Sequence, residues 1–209
     1  MTDWLEWHGA YDRDSSLSRR LQVVQGQLRS ALDSRAEGEI RLISLCAGQG
    51  RDVVPVVAAH PRRPDVRARL VELDPDNARI AAAAAQAAGL TGVEVVTRDA
   101  SLTESYAGAV PADIVLACGV FGNISPEDIE ATIEQLPRLC ARGATVVWTR
   151  GRGRRDQDPR PTVRRWFGER GFEELFFQGE PEEFGVGAHR LAAEPTPFDP
   201  SRKLFTFIR

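Results

Sequence analysis

Apolar positions along the chain alternate between two kinds of run. Compact apolar runs lie near 41–46, 67–73, 93–97, 112–118 and 144–149, and each has the length of a buried strand. Between them, 51–60, 76–88, 126–139 and 161–170 read as helices. Alternation of this kind predicts parallel strands with helices on both faces. Ahead of the first strand, Leu17, Leu21, Val24, Leu28 and Leu32 recur every three to four residues. They form the stripe of an amphipathic helix, with Ser15 or Ser16 as cap and Gly38 as terminator. The chain ends differently. The runs 173–177 and 204–208 read as strands with no clear helix between them, which predicts a final antiparallel pair.

In open sheets of this class the ligand lies beyond the carboxyl ends of the strands. That places 46–51, 72–76, 98–101 and 118–125 on one face, with the loops 150–160 and 178–203 expected to overhang it. The first of these segments carries a Gly48-x-Gly50 turn between strand and helix, and the next strand ends in Glu72-Leu73-Asp74-Pro75. A glycine turn lets backbone approach a ligand, and a carboxylate at the following strand tip takes ribose hydroxyls. A dinucleotide site wants a third small residue, where this chain has Val53. Asp74 precedes Pro75 at a helix start and so has work as an N-cap. Glu72 has no such employment and is the preferred ribose ligand.

The segments LISLCAGQGRDV, LVELDPDNARIA, VEVVTRDAS, ADIVLACGVFGNIS and LCARGATVVWTRG stand in an order and spacing that resembles the class I S-adenosylmethionine-dependent methyltransferases. The resemblance covers roughly 40–209. It implies a single-domain, Rossmann-like, doubly wound α/β sheet, mostly parallel with an antiparallel C-terminal strand. Residues 39–209 would form the cofactor domain and 1–38 an N-terminal lid segment and helix. It implies S-adenosylmethionine as cofactor and S-adenosylhomocysteine as product. The implied cofactor contacts are Cys46, Ala47, Gly48, Gly50, Glu72, Leu73, Asp99, Ala100, Cys118 and Gly119. Asp99 would take the adenine amino group and the Ala100 N–H a ring nitrogen; a turn-forming Asp is the alternative at Asp99. Two positions depart from the family pattern. Ser44 stands where an acidic residue is frequent, and Cys46 where the first glycine is frequent.

Composition narrows the rest. The chain has 209 residues, 42% hydrophobic and 27% charged, with a net charge of −3. That suits one globular domain and gives no bulk attraction to nucleic acid. The three cysteines, at 46, 118 and 140, have no paired short spacing, and the first residues are polar, so a reducing cytoplasmic setting without a secretory leader is expected. The Ala81–Ala88 run is too short for a bilayer. No ligand spacing for a metal is visible, and no metal is expected. The arginine-rich loop 150–160 either attracts an anion or RNA or is a solvated loop diluted by Asp156 and Asp158. Trp7, Tyr11 and Asn123 are the candidate acceptor contacts. His8 and His189 are candidate general bases, with ordinary loop histidines as the alternative, and His60 is expected at the surface. The function expected is methyl transfer to a small-molecule acceptor. RNA or protein methylation, or cofactor binding without catalysis, are the alternatives.

Overall fold

The computed structural model describes residues 15–153 and 158–208. Helix α1 (Ser16–Asp33) leads into β1 (Ile40–Leu45), α2 (Val54–Ala59), β2 (Val66–Glu72), α3 (Pro75–Ala87) and β3 (Val93–Thr97). There follow β4 (Ala112–Ala117), α4 (Pro126–Gln135), β5 (Cys140–Gly151), α5 (Arg160–Glu169), β6 (Phe172–Gln178) and β7 (Phe184–Leu191). The sheet order is β3-β2-β1-β4-β5-β7-β6, with β7 antiparallel to both neighbours and the first five strands parallel. The predicted alternation and its antiparallel ending are both present. No helix among the described residues is long and apolar enough to cross a membrane.

Both faces of the sheet are covered, which is why the central strands are apolar almost throughout. On one face Ile43, Leu45 and Val115 pack with Ile129, Ile133 and Phe167 of α4 and α5. On the other, Leu42, Leu70 and Ile114 pack with Val24, Leu28 and Leu32 of α1 and with α2. Helix α1 starts as its sequence predicts. Ser15 Oγ accepts from the Ser18 N–H at 3.2 Å and Ser18 Oγ from the Ser15 N–H at 3.1 Å. Its stripe then divides. Val24, Leu28 and Leu32 are buried, while Leu17 and Leu21 line a cavity. Asp113, at the start of β4, has a structural role, accepting from Arg35 at 2.6 Å and from the Arg41 N–H at 2.9 Å.

Three expectations are corrected here. The last strand pair is β6 and β7, joined by a turn at 179–183, and 178–203 is not one long loop. β7 reads as loop because it contains Gly185 and Gly187. Its neighbours require them: a Cβ on Gly187 would lie 2.3 Å from Trp148 Cε2, and one on Gly185 2.7 Å from Arg160 Cδ. The segment 204–208 is not a sheet strand. It meets the fold through isolated bridges, Leu102 to Lys203 and Ile124 to Phe207, and runs past the ends of the parallel strands. His60 is buried, not at the surface, with Nε2 3.0 Å from Asp33 Oδ1 and Nδ1 accepting the Arg62 N–H at 3.1 Å.

Candidate active site

A cavity of about 720 Å³ opens at the carboxyl ends of β1, β2, β4 and β5. That size suits a nucleoside-bearing ligand. β1 delivers Cys46, Ala47 and Gly48 to its floor. The Ala47 N–H still donates to Val71 O at 2.9 Å, so the turn leaves the sheet late. Cys46 and Gly48 both take a φ of 54°. Cys46 thus keeps the left-handed backbone that a glycine would adopt freely, despite carrying a side chain. Its thiol is pushed far up by burial, then by Glu72 and Asp99, so it is no thiolate nucleophile.

Glu72 at the end of β2 is half-buried and joins both sides of the turn. Its Oε2 accepts the Gly48 N–H at 2.7 Å and its Oε1 the Asp74 N–H at 2.9 Å. Asp74 is occupied as the N-cap of α3, with Oδ1 accepting from the Asp76 and Asn77 N–H groups at 2.9 Å each. Leu73, 62% exposed, and Asp99 and Ala100 beyond β3 complete this end of the cavity. Asp99 Oδ1 accepts the Ser101 N–H at 2.8 Å, so it does form a turn and also faces the cavity. Beyond β4, Cys118 and Gly119 line the wall, with the Gly119 N–H held by Thr149 Oγ1 at 2.9 Å. Asn123 also lines it, donating from Nδ2 to Gly119 O at 2.7 Å.

Two residues named from the sequence lie elsewhere. Gly50 does not line the cavity. Its φ is 70°, and a Cβ there would meet Val54 Cγ2 at 3.1 Å and Leu70 Cδ2 at 3.2 Å. The glycine serves helix–strand packing. His189 sits within β7, buried beside Trp148 and Phe167, and not in a loop over the ligand face. Its Nδ1 accepts from Trp148 Nε1 at 3.1 Å, and burial pushes its pKa down to about 4. His189 does not line the cavity. Trp7, His8 and Tyr11 lie outside the described residues.

Several cavity residues carried no signal that the sequence alone could rank. Arg20 reaches it from α1, and Asp52 follows the glycine turn. Burial pushes the Asp52 pKa up to about 6, against the pull of the Asp52 and Val53 N–H groups and, less, of Arg20. Phe207 reaches the mouth because the C-terminal segment is pinned there. The Leu204 N–H donates to Ser101 O, the Thr206 N–H to Asp128 Oδ2 and the Ile208 N–H to Asn123 O, at 2.7, 2.8 and 3.0 Å. Of the arginine-rich loop, 154–157 lie outside the described residues. Arg150 lines the cavity, whereas Arg160 is buried, chelated by Asp158 and by the carbonyls of Gly179, Glu182 and Phe184. Among the described residues no cluster of His, Cys, Asp and Glu could hold a metal ion.

No protein-family model matches the sequence, and no curated protein matches it. Solved structures do. The chain is similar to magnesium protoporphyrin IX methyltransferase from Synechocystis with SAM bound, at 16% identity and a TM-score of 0.63, over 82% of this chain and 79% of that one. It is similar to the 1,6-didemethyltoxoflavin-N1-methyltransferase of Burkholderia thailandensis, at 14% identity and a TM-score of 0.65, over 91% and 84%. It is similar to an RNA methyltransferase from Salinibacter ruber with S-adenosylhomocysteine, at 21% identity and a TM-score of 0.55, over 87% and 97%. The fold is that of the class I S-adenosylmethionine-dependent methyltransferases.

Proposed function

We propose that this chain transfers a methyl group from S-adenosylmethionine to a small-molecule acceptor. The observation that carries the reading is the station at Glu72. Both its oxygens are oriented by backbone N–H groups, at 2.7 and 2.9 Å, and its carboxylate lines the cavity. A carboxylate oxygen has a second acceptor direction, so two ribose hydroxyls can be met without releasing the turn. Asp99 and Ala100 are assigned to the adenine, with Leu73 against its face, and Cys46, Ala47, Gly48, Cys118 and Gly119 to the amino-acid arm. The residues fit the cofactor, which when bound supplies an electrophilic methyl group. The chain's part is then to align that group with an acceptor and to exclude water, which accounts for large accelerations without a dedicated base.

A small acceptor is favoured by the wall on the α1 side, where Leu17, Leu21 and Val24 give an apolar surface. Asn123 is assigned to the acceptor. Trp7, His8 and Tyr11 precede a helix that lines the cavity, which supports a lid role for the segment that carries them. The test is a thermal-shift comparison of S-adenosylhomocysteine with NADH. At 100 times its dissociation constant the thioether should stabilise the fold by about 2.7 kcal/mol. A comparable shift with NADH and none with S-adenosylhomocysteine overturns the reading.

A further inference from the structure

Four carboxylates line the cavity: Asp52, Glu72, Asp74 and Asp99. Three are occupied by backbone N–H groups, as described above. Asp52 also feels the N–H groups of its own residue and of Val53, but one of its oxygens is left over. Its Oδ1 is buried and has no hydrogen-bond partner among the described residues. A buried carboxylate oxygen without a donor is costly, and such a group in a cavity wall marks a place where a ligand brings the donor. Arg20, from α1, lines the same cavity and is the cation whose field reaches Asp52. Both also act on the Cys118 thiol beyond β4, whereas Glu72 and Asp99 act on Cys46.

The cavity lining therefore includes a carboxylate and a guanidinium that both bear on Cys118. That pair is complementary to an α-amino acid, which carries an ammonium and a carboxylate on one carbon. We infer that Asp52 and Arg20 bind the zwitterionic amino-acid end of the ligand, Asp52 taking the α-ammonium and Arg20 the α-carboxylate. This rests on the reading of the cavity as an S-adenosylmethionine site. With the ribose at Glu72, the arm starts beside Gly48, and Gly48, Asp52 and Arg20 all line the same cavity. The acidic function for the ammonium is then carried by the segment after the glycine turn. Ser44 within β1 is buried and does not line the cavity.

The test uses the full chain and isothermal titration with two ligands. S-adenosylhomocysteine has the amino-acid arm; 5′-methylthioadenosine keeps the nucleoside and thioether without it. Asp52→Asn should weaken S-adenosylhomocysteine about ten- to a hundredfold and leave 5′-methylthioadenosine within about twofold. Arg20→Gln should show the same selectivity. Unchanged S-adenosylhomocysteine affinity in Asp52→Asn overturns the inference and gives the oxygen to the acceptor. An equal loss for both ligands overturns it as well, since that reports a distorted turn. Asp52→Ser replaces Asp52→Asn if the latter lowers the ligand-free urea midpoint. A wild-type chain that binds neither ligand removes the cofactor reading itself, whereas wild-type binding with an unselective variant removes only this assignment.

Discussion

Glu72 holds Gly48: its Oε2 accepts the glycine N–H at 2.7 Å, across the gap between the ends of β1 and β2. The carboxylate thus shapes the turn as well as facing the cavity, and its substitutions divide accordingly. Glu72→Gln keeps acceptor capacity for one N–H but loses the charge. It should weaken S-adenosylhomocysteine by about 2 kcal/mol, near thirtyfold. Asp74→Ala should leave that affinity nearly unchanged and cost about 1 kcal/mol of fold stability as a lost cap. Titration calorimetry and urea unfolding on the two variants check the split, and the reverse ranking of affinities removes Glu72 from the ribose.

Gly50 is expected to behave as a core residue. Gly50→Ala puts a methyl 3.1 Å from Val54 and 3.2 Å from Leu70 at a φ of 70°. A loss of about 1–3 kcal/mol in urea unfolding should follow. The fraction that remains folded should bind S-adenosylhomocysteine with wild-type affinity. A folded variant with lost affinity would falsify the packing role.

Asp52 and His189 act oppositely on stability as pH changes. Asp52 is raised from 3.8 to about 6 by burial, so between those values the unfolded chain binds fewer protons than the folded one, and stability falls as pH rises. His189 is lowered from 6.5 to about 4, so the unfolded chain binds more protons there, and stability rises with pH. Each contributes up to about 3 kcal/mol, and in the wild type they offset one another. Asp52→Asn should therefore gain on the wild type progressively from pH 4 to pH 6. Urea unfolding at several pH values gives the difference curve, and a flat one contradicts the burial of Asp52.

The C-terminal segment is expected to be part of the fold. Leu204 and Phe205 are buried, and Thr132 Oγ1 donates to Leu204 O at 2.8 Å. Ending the chain at Arg202 should cost at least about 4 kcal/mol, read as a lowered urea midpoint, because two large apolar side chains leave the core. It also removes Phe207 from the cavity mouth. A truncated chain as stable as the full one shows that the segment does not hold the core.

The sequence by itself determined the elements whose signals are local. The apolar runs of β1 to β5 are continuous because both faces of the sheet are buried, and such runs are visible without partners. The caps at Ser15, Asp74 and Ser125 are equally local, since each side chain bonds within three residues of itself. Nine of the ten expected cofactor positions, Glu72 and Asp99 among them, line the cavity because strand ends in such a sheet share one face. Tertiary structure decided what depends on distant neighbours. Gly185 and Gly187 are strand residues only because Arg160 and Trp148 fill the space beside them, so β7 was invisible as a strand and His189 as a core residue. Gly50 answers to Leu70 and Ala81, while its neighbour in the motif, Gly48, faces the cavity. Asp52 shares a cavity with Arg20 only because α1 folds back over the sheet, a relation between residues that no periodicity encodes. Local hydrogen bonds and burial on two faces leave a trace in the order of residues; contacts made by chain return leave none.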